Sequence, residues 1–393
     1  MLTIKLAFRN IVGAGLRTWL NVFVLSFAFV AILWIQGLIN GQAKQIMNLM
    51  IDTELGGGQF WHKDYEPFDP LTLEESHGPV PAALEDLISS KRATPILITS
   101  GAIYPDGRVQ SALLKGIDPD QVILDIPADI LKKDSPVTIP ALIGTRMAKQ
   151  TKLMLGDYVT IRWRDIHGTF DAADIQIARV MNTNSPAIDM GQIWLPLDRM
   201  REMMQAPDEA TLIVLEKDIQ SVPGGSEEWI YRGLDFLLKD VVEIMKTKTA
   251  SSSILYALLM AMALLAIFDT QVLSIFRRRK EMGTLMALGM TRGGVIKLFT
   301  LEGALHGILA LIMGAVYGIP LLYLTAVKGL PLPTDAIDQM GIAMPSVLYP
   351  SYSLWLIGGT TFLVFITVTV VSFLPTRKIA KLKPTDALRG KLS

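Results

Sequence analysis

Four long apolar segments constrain this chain more than any other feature of its sequence. They cover residues 19–39, 250–276, 298–324 and 354–374, and the first contains no charged residue. Each is long enough to cross a hydrocarbon core of roughly 30 Å. Half of all residues are apolar, which is typical of a membrane protein with a sizeable soluble part. The alternative, four buried helices of a large soluble domain, does not explain why basic residues gather at one set of segment ends.

Lysine and arginine predict the orientation of these four spans. Basic residues outnumber acidic ones by three to none in residues 1–18, and by six to one in both the 277–297 turn and the 375–393 tail. The 325–353 loop, by contrast, has a single lysine. The positive-inside rule therefore predicts that both termini and the turn are cytoplasmic. The 40–249 segment then lies outside, where its 21 basic and 31 acidic residues give it a negative charge.

Residues 1–18 also predict an amphipathic elbow helix ahead of the first span. Lys5 and Arg9 share one helix face, and four apolar residues share another: Ile4, Phe8, Ile11 and Val12. Such a helix is suited to lying on the anionic inner leaflet. The apolar run that follows is too long for a signal peptide and has no small-residue cleavage site, so we expect a retained span.

The 40–249 segment is large enough for a folded domain between two helical stalks. Helical spacing appears at both of its edges, in Ile46, Leu49, Met50 and Thr53, and in Leu234, Leu237, Leu238, Val241 and Met245. The first two spans are therefore expected to continue outward as paired helices whose apolar stripes pack on each other. The alternative is two short helices that cap the domain. Gly56, Gly57 and Gly58 mark the predicted exit from the first stalk.

Between the stalks, short β-branched runs separated by turn signals predict an α+β domain. Asp198–Gln205 and Leu142–Thr151 have the pattern of helices. The predicted strands are Ala93–Gly101, Ser111–Gly116, Tyr158–Trp163, Ile175–Val180, Gln192–Leu195 and Thr211–Leu215.

No set of residues in the sequence indicates catalysis or a bound metal. There is no cysteine, no HExxH, no Gly-x-Ser-x-Gly and no phosphate-binding GxxxxGK[ST] loop. Asp118 and Asp120 lack the other oxygen ligands of a calcium loop, so they are interpreted as turn and cap residues. We therefore expect a chain that is not an enzyme and binds no cofactor or metal of its own.

Three ionisable residues fall within or at the edge of the spans: Asp269, Glu302 and His306. Such groups are costly in lipid and usually face the interior of a helix bundle or water. Glu302 and His306 are one helical turn apart and could share a proton. Because Asp269 and Glu302 lie near the predicted cytoplasmic ends, local solvation or hydrogen bonding between helices is the favoured interpretation.

The 277–297 turn combines a basic first half with an apolar second half. Met282, Leu285, Met286 and Leu288 are predicted to lie on a short helix that ends at Gly289. An exposed apolar surface on a short loop indicates a protein partner. The alternative is a helix that lies flat on the membrane.

Several segments resemble the MacB/FtsX/Lol-type ABC permease family. RRRKEMGTLMALGMTRGGVIKLFTLEGALHG (277–307) is similar to its coupling helix and third span, LAFRNIVGAGLRTWLNVFVLSFA (6–28) to its elbow, and PTRKIAKLKPTDALRG (375–390) to its tail. Within the outer segment, KGIDPDQV (115–122), PALIGTRMAKQTKLMLGDYVTI (140–161) and IWLPLDRMREMM (193–204) resemble the family's periplasmic core domain. The resemblance covers nearly the whole chain.

The resemblance implies a permease dimer in the bacterial inner membrane, docked on two cytoplasmic ATPase subunits that bind ATP and Mg²⁺. ATP hydrolysis would move the periplasmic domains through the stalks, which is called mechanotransmission, and no nucleic acid would be involved. The residues that would contact the ATPase are Glu281, Met282, Gly283, Leu285, Ala287, Leu288 and Gly289.

Four spans with one large loop match both the lipoprotein-releasing and the macrolide/peptide-efflux branches of that family. The chain length is most similar to the lipoprotein-releasing branch, LolC/LolE. GQFWHKDYEPF (58–68) is loosely similar to that branch's entry into the outer domain. The expected cargo is therefore a lipoprotein, passed to a periplasmic carrier. Two alternatives stay open: a MacB-like efflux permease, and a signalling permease that regulates a periplasmic enzyme.

Overall fold

The computed structural model describes residues 16–132, 138–181, 191–219, 222–332 and 347–379. Within these residues the chain forms two compact units. The helical unit comprises residues up to 44, 244–331 and 347 onward, and the sheet domain comprises 45–243. The first 15 residues of the predicted elbow helix lie outside the described residues, and so does most of the predicted tail, from residue 380 onward.

The described residues form nine α-helices. They are α1 (Leu16–Met50), α2 (Ala82–Ser89), α3 (Thr145–Thr151), α4 (Leu197–Met204), α5 (Leu234–Leu237), α6 (Lys239–Arg277), α7 (Arg279–Ala287), α8 (Arg292–Lys328) and α9 (Leu354–Ile379). The strands are β1 (Gln59–His62), β2 (Gly78–Pro79), β3 (Ala93–Ile103), β4 (Gln110–Ile117), β5 (Ile139–Gly144), β6 (Tyr158–Arg164), β7 (Phe170–Met181), β8 (Gln192–Pro196), β9 (Glu209–Ala210), β10 (Leu212–Leu215), β11 (Trp229–Arg232), β12 (Leu330–Pro331) and β13 (Val347–Leu348).

The four predicted spans all lie inside long helices. Among the described residues, four helices are long and apolar enough to cross a membrane, namely α1, α6, α8 and α9. α1 continues past the apolar 19–39 segment to Met50, and α6 begins at Lys239, well before residue 250. Both spans therefore continue as helices beyond their apolar segments, although Leu234 and Leu237 of the second predicted stripe belong to the separate short helix α5. The packing of the two apolar stripes on each other stays a prediction.

Glycines at four-residue intervals on α8 position its neighbouring helices in the helical unit. Gly303 and Gly307 face Ser372 and Val368 of α9, and Gly314 and Gly318 face Phe29 and Val30 of α1. A Cβ added at Gly318 would lie only 2.7 Å from a methyl carbon of Val30. Small residues at this spacing let the backbones of membrane helices approach closely. The helix core therefore depends on two Gly-x-x-x-Gly stretches that the apolar pattern alone does not reveal.

Polar side chains add hydrogen bonds between these helices. The Thr360 hydroxyl of α9 donates to Gln36 of α1 at 3.1 Å, and Tyr317 of α8 donates to Ser26 of α1 at 3.2 Å. Hydrogen bonds of this kind between membrane helices contribute about 0.6 kcal/mol on average. They supplement the glycine contacts rather than replace them.

The sheet domain is built around one nine-stranded sheet in the order β11-β1-β10-β3-β4-β8-β5-β7-β6. β3 is long enough to have two partners on one edge: residues 93–96 pair with β10, and residues 101–103 pair with β6. Because β6 is also the last strand of the order, six strands from β3 to β6 close on themselves. β10, β1 and β11 extend from the first part of β3.

The interior of this closed ring is the largest hydrophobic core of the domain. Inward residues of its strands pack with α3 and α4. The strands contribute Leu97, Leu114, Ile143 and Ile161, α4 contributes Met200, and each of these side chains is fully buried. On β6 the buried and exposed residues alternate strictly, as expected for a strand with one face in the core. Trp163 on that strand donates its indole N–H to the Met203 carbonyl at 2.8 Å and so fixes α4 to the ring.

The six strands predicted between the stalks are all present, with ends shifted by at most five residues. The prediction of a helix over Leu142–Thr151 was wrong at its start, because Leu142 and Ile143 belong to β5 and pair with Trp194 and Ile193 of β8. The helix begins only at Thr145. A short, fully apolar run cannot be assigned to strand or helix by periodicity alone. β1, β5 and β11 were not predicted.

Two local predictions in this domain are confirmed. Gly56 and Gly58 have φ of 57° and 135° and carry the chain from a π-helical turn, Ile51–Leu55, into β1. Only glycine adopts such backbone angles at little cost. Asp118 accepts a hydrogen bond from the Asp120 amide at 2.8 Å, and Asp120 pairs with Lys132. Asp118 therefore has the predicted turn role, whereas the Asp120 carboxylate forms an ion pair.

Candidate functional site

The turn between α6 and α8 contains the short helix predicted from the sequence. α6 ends at Arg277, α7 runs from Arg279 to Ala287, and Gly289 has φ of 97°, which turns the chain back toward α8. The hydroxyl of Thr291 accepts the Gly294 amide at 3.2 Å and caps the start of α8. We refer to α7 together with its flanking residues, 278–290, as the turn helix. A glycine in the left-handed region and an N-cap threonine are the local signals that give it defined ends.

One side of the turn helix is fixed to the bases of α6 and α8. Met286 and Met290 pack on Ile275, Val295 and Phe299, which are at most 1% exposed. Methionine adapts its flexible side chain to such irregular gaps. Gly283 is buried on the same helix. The turn helix is thus attached to the spans by an apolar contact rather than by its covalent ends alone.

The other side of the turn helix is open. Leu288 is 80% exposed, and Glu281, Ala287 and Gly289 are exposed as well. The side chains of Met282 and Leu285 lie outside the described residues. Of the seven residues assigned to the ATPase contact, four therefore lie on an accessible surface and Gly283 does not. The assignment itself stays a prediction.

Arg278 joins the turn helix to the third span. Its Nε donates to Glu281 Oε2 at 2.8 Å, and its Nη1 donates to Glu302 Oε2 at 2.9 Å and Oε1 at 3.3 Å. Its guanidinium carbon also lies 5.1 Å from the ring centre of Phe299. The Glu302 side chain is 6% exposed and that of Arg278 22%. This is a buried ion pair between two successive elements of the turn.

The environment of Arg278 keeps its guanidinium charged. Burial alone would lower the pKa of Arg278, but the hydrogen bond to Glu281 and the charge of Glu302 outweigh it and raise that pKa above its usual value. Removing one partner of a buried pair typically costs about 3–5 kcal/mol, because the other charge stays buried without compensation. The sequence analysis identified Glu302 but missed Arg278. The available signal was a single acidic residue in a span that follows a basic run.

The three intramembrane ionisable residues do not form one cluster. The carboxylate of Glu302 contacts Arg278, while Nδ1 of His306 lies 2.8 Å from the Glu302 backbone oxygen. The geometry therefore does not support a proton relay through direct contact of the Glu302 and His306 side chains. The favoured interpretation, hydrogen bonding between elements, is confirmed for Glu302. Asp269 stands apart, exposed on α6.

Asp269 belongs to an exposed apolar stripe along α6. The large side chains of this stripe recur at intervals of three and four residues and are 45–69% exposed: Leu255, Leu258, Met262, Leu265 and Phe276. Asp269 continues the same spacing between Leu265 and Phe276. This is the periodicity of a helix that packs along another helix. We call this set the α6 stripe.

The helices that carry these features match a known protein family. Residues 253–384 match the FtsX-like permease C-terminal family. This FtsX-like region includes the α6 stripe, the turn helix, the Arg278–Glu302 pair and the glycines of α8. All the residues predicted to contact an ATPase therefore lie inside it.

A curated protein is similar to this chain over most of its length. The macrolide export ATP-binding/permease protein MacB of Agrobacterium fabrum is 21% identical over 95% of this chain. The chain spans 58% of that relative's length. This chain is thus similar to a MacB protein over most of its length, and to the FtsX-like permease C-terminal family over residues 253–384.

Two solved structures show low similarity to this chain. The periplasmic region of MacB from Actinobacillus actinomycetemcomitans has 12% identity and a TM-score of 0.34, covering 51% of this chain and 98% of that one. The extracellular domain of the ABC-type transporter YknZ from Gram-positive bacteria has 11% identity and a TM-score of 0.26, covering 42% and 84%.

Proposed function

We propose that this chain is the permease subunit of an ABC transporter of the MacB/FtsX type, and that a separate ATPase subunit binds ATP and Mg²⁺. The observation that carries the proposal is the two-sided turn helix. Its inner side is fixed to the spans by Met286, Met290 and Arg278, while Leu288 is 80% exposed. An apolar side chain presented on a firmly held helix suits a protein groove better than solvent.

The ion pair gives the turn helix a way to transmit movement. A displacement of Glu281 would pull on Arg278, which also holds Glu302 at the base of α8. Since α6 and α8 are continuous helices of 39 and 37 residues, movement at their bases would reach their far ends. This supports mechanotransmission rather than a path for cargo between the spans.

A second permease would cover the α6 stripe. Isolated apolar residues on this stripe could face lipid, but a carboxylate at the position of Asp269 is costly there. A helix from another subunit would bury both the apolar side chains and the carboxylate. The proposal is a dimer, formed with a second copy or with a related permease, in a bacterial inner membrane with both termini cytoplasmic and the sheet domain periplasmic.

The proposed cargo is a lipoprotein released from the inner membrane to a periplasmic carrier. The loose similarity of GQFWHKDYEPF (58–68) to the lipoprotein-releasing branch supports it. The curated relative is a macrolide exporter, so a MacB-like efflux permease is an equally consistent candidate. Regulation of a periplasmic enzyme through the sheet domain is a third.

The coupling proposal is tested by replacing Leu288 with aspartate. We expect loss of ATPase co-purification and of ATPase stimulation, while membrane insertion is unchanged. Leu155→Asp is the matched control, because Leu155 is 69% exposed in the sheet domain and should leave both properties intact. Full ATPase stimulation by the Leu288→Asp variant would rule out the turn helix as the contact.

The dimer proposal is tested by cysteine crosslinking, which is clean here because the chain has no cysteine. A single cysteine at Met262 on the α6 stripe should give a disulfide-linked dimer under oxidation. Cysteine at Ile312, which is 56% exposed on α8, should not. Equal crosslinking at the two positions would count against a stripe-mediated dimer.

The cargo is tested by depleting the protein in its native cell. Accumulation of outer-membrane lipoproteins in the inner membrane would support lipoprotein release. Normal lipoprotein sorting with increased macrolide sensitivity would favour efflux instead. Recovery of a cell-wall hydrolase or kinase with the full-length protein, with neither phenotype, would favour the signalling alternative.

A further inference from the structure

The sheet domain contains a cavity of about 540 Å³ that the proposed transport function does not use. Its walls are mostly apolar and include Ile96, Ile98 and Leu212 of the sheet and the rings of Trp61 and Trp194. Cavities of roughly 300–1,000 Å³ with mostly apolar walls and a few placed polar groups are typical of small-molecule sites. The apolar walls require a ligand with an apolar body, and the charged groups in the walls determine its polar end.

Six charged residues line the cavity, and they differ in their access to water. Three of them are exposed, so that water and salt screen their charges: Glu66, Lys239 and Asp240. The other three are less exposed, and two of these neutralise each other. Lys115 Nζ lies 3.8 Å from Glu54 Oε1, and the two side chains are only 13% and 14% exposed. The remaining charge of the walls is the positive charge of Arg232.

Two aromatic rings hold Arg232 in the cavity wall. Its guanidinium carbon lies 4.3 Å from the ring centre of Phe236 and 5.8 Å from that of Trp61, and both rings line the same cavity. Cation–π contacts of this kind attract the guanidinium but supply no anion. Among the described residues, no carboxylate lies within 4.0 Å of the Arg232 nitrogens, and no acceptor takes a hydrogen bond from its side chain. Arg232 is therefore a half-buried cation without an acidic partner in the part of the chain that the structure describes.

The terminal nitrogens of Arg232 are the atoms that a ligand can reach. Nε is enclosed without a partner, whereas Nη1 and Nη2 are not enclosed. The planar fork of a guanidinium can donate to both oxygens of one carboxylate. A phosphate monoester would bring a charge of about −1.5 to −2, which exceeds the single positive charge that is left over. A carboxylate is therefore the anion that this wall fits.

We propose that this cavity binds an apolar carboxylate, a monoanion with an apolar body. The carboxylate accepts hydrogen bonds from Nη1 and Nη2 of Arg232, and the apolar body lies beside the apolar walls. Phe68, which also lines the cavity and is 81% exposed, is partly covered by that body. A fatty acid and the C-terminus of an apolar peptide share this chemistry. The proposal goes beyond the transport function and does not depend on it.

The test uses the full-length chain in nanodiscs of a zwitterionic lipid, with isothermal titration calorimetry near neutral pH, where carboxylates are ionised. The probes are octanoate and N-acetyl-leucyl-phenylalanine with a free carboxylate, and the corresponding amides are the matched neutral analogues. We expect saturable binding of at least one carboxylate, about tenfold or more tighter than binding of its amide. Equal binding of each carboxylate and its amide would overturn the proposal, as would no saturable binding at millimolar probe.

The two probes distinguish the two sources of the carboxylate. Saturable binding of octanoate alone would support a fatty acid as the ligand, and binding of the dipeptide alone would support a peptide C-terminus. Binding of both would support a site that requires only the shared chemistry. The heats of titration into empty nanodiscs measure partition of each probe into lipid and are subtracted.

Arg232→Gln locates the site, because this variant removes the charge and keeps a polar side chain. We expect carboxylate binding to weaken by about tenfold and to become similar to amide binding. Arg108→Gln is the matched control, since Arg108 is exposed in the same domain and does not line the cavity. Unchanged carboxylate affinity in folded Arg232→Gln protein would refute the assignment. If this variant does not fold, the comparison of each carboxylate with its amide on the unaltered chain still decides whether the site requires the charge.

Discussion

Replacing Glu302 with glutamine removes the negative charge that compensates Arg278 and keeps nearly the same side-chain shape. Glu302 is 6% exposed, so water cannot replace the lost interaction. Breaking a buried pair costs about 3–5 kcal/mol. Because Arg278 keeps its 2.8 Å hydrogen bond to Glu281, we expect a loss at the lower end of this range, about 3 kcal/mol. That is a factor of roughly 100 in the unfolding equilibrium.

The assay is SDS-induced unfolding of the detergent-solubilised chain, with Glu281→Gln as the matched control. The Glu281 side chain is 63% exposed, and exposed pairs contribute only about 0.2–1 kcal/mol. An Arg278→Met, Glu302→Leu double variant should recover most of the stability, because apolar replacement of a whole buried pair is often neutral. If Glu302→Gln is no more destabilising than Glu281→Gln, the Arg278–Glu302 ion pair does not stabilise the attachment of the turn helix to α8.

Three further predictions concern other parts of the chain. Gly318→Leu should destabilise the helical unit by about 1–3 kcal/mol through overpacking against Val30. Gly358→Leu is the control, because a side chain at Gly358 of α9 meets nothing within 4 Å. Equal midpoints of SDS-induced unfolding for the two variants would contradict this prediction. Thr291→Ala removes the N-cap of α8 and should cost about 1 kcal/mol in the same assay, with restoration by Thr291→Ser. Burial lowers the pKa of His62 below 6.5, so its contribution to stability is present above that pH and is lost below it; His62→Gln should flatten this acid-side decrease in melting temperature.

Prediction from the sequence succeeded where local patterns decide the structure. Apolar length gave the four spans, and Gly289 gave the end of the turn helix. It failed at Leu142 and Ile143, because a short apolar run beside a true helix has no periodicity that separates strand from helix. Propensity was overridden there by pairing with β8.

The remaining features depend on residues that are far apart in the chain. Arg278 and Glu302 belong to different elements, so their contact follows from how α8 folds back rather than from spacing. The apolar cavity of the sheet domain is lined by residues between Met50 and Asp240, and no short stretch of the sequence contains them together. The closed ring likewise depends on β3 pairing with β6, which lies much later in the chain.

The two partners on one edge of β3, β10 and β6, also constrain the order of folding during synthesis. Residues 93–96 leave the ribosome long before their partners in β10, and only after residue 215 can that edge be covered. Until then the nascent chain carries an unpaired strand edge, which can pair with other chains. A pause in translation before β10 should therefore favour aggregation, and a chaperone that shields this edge should raise the yield of folded protein.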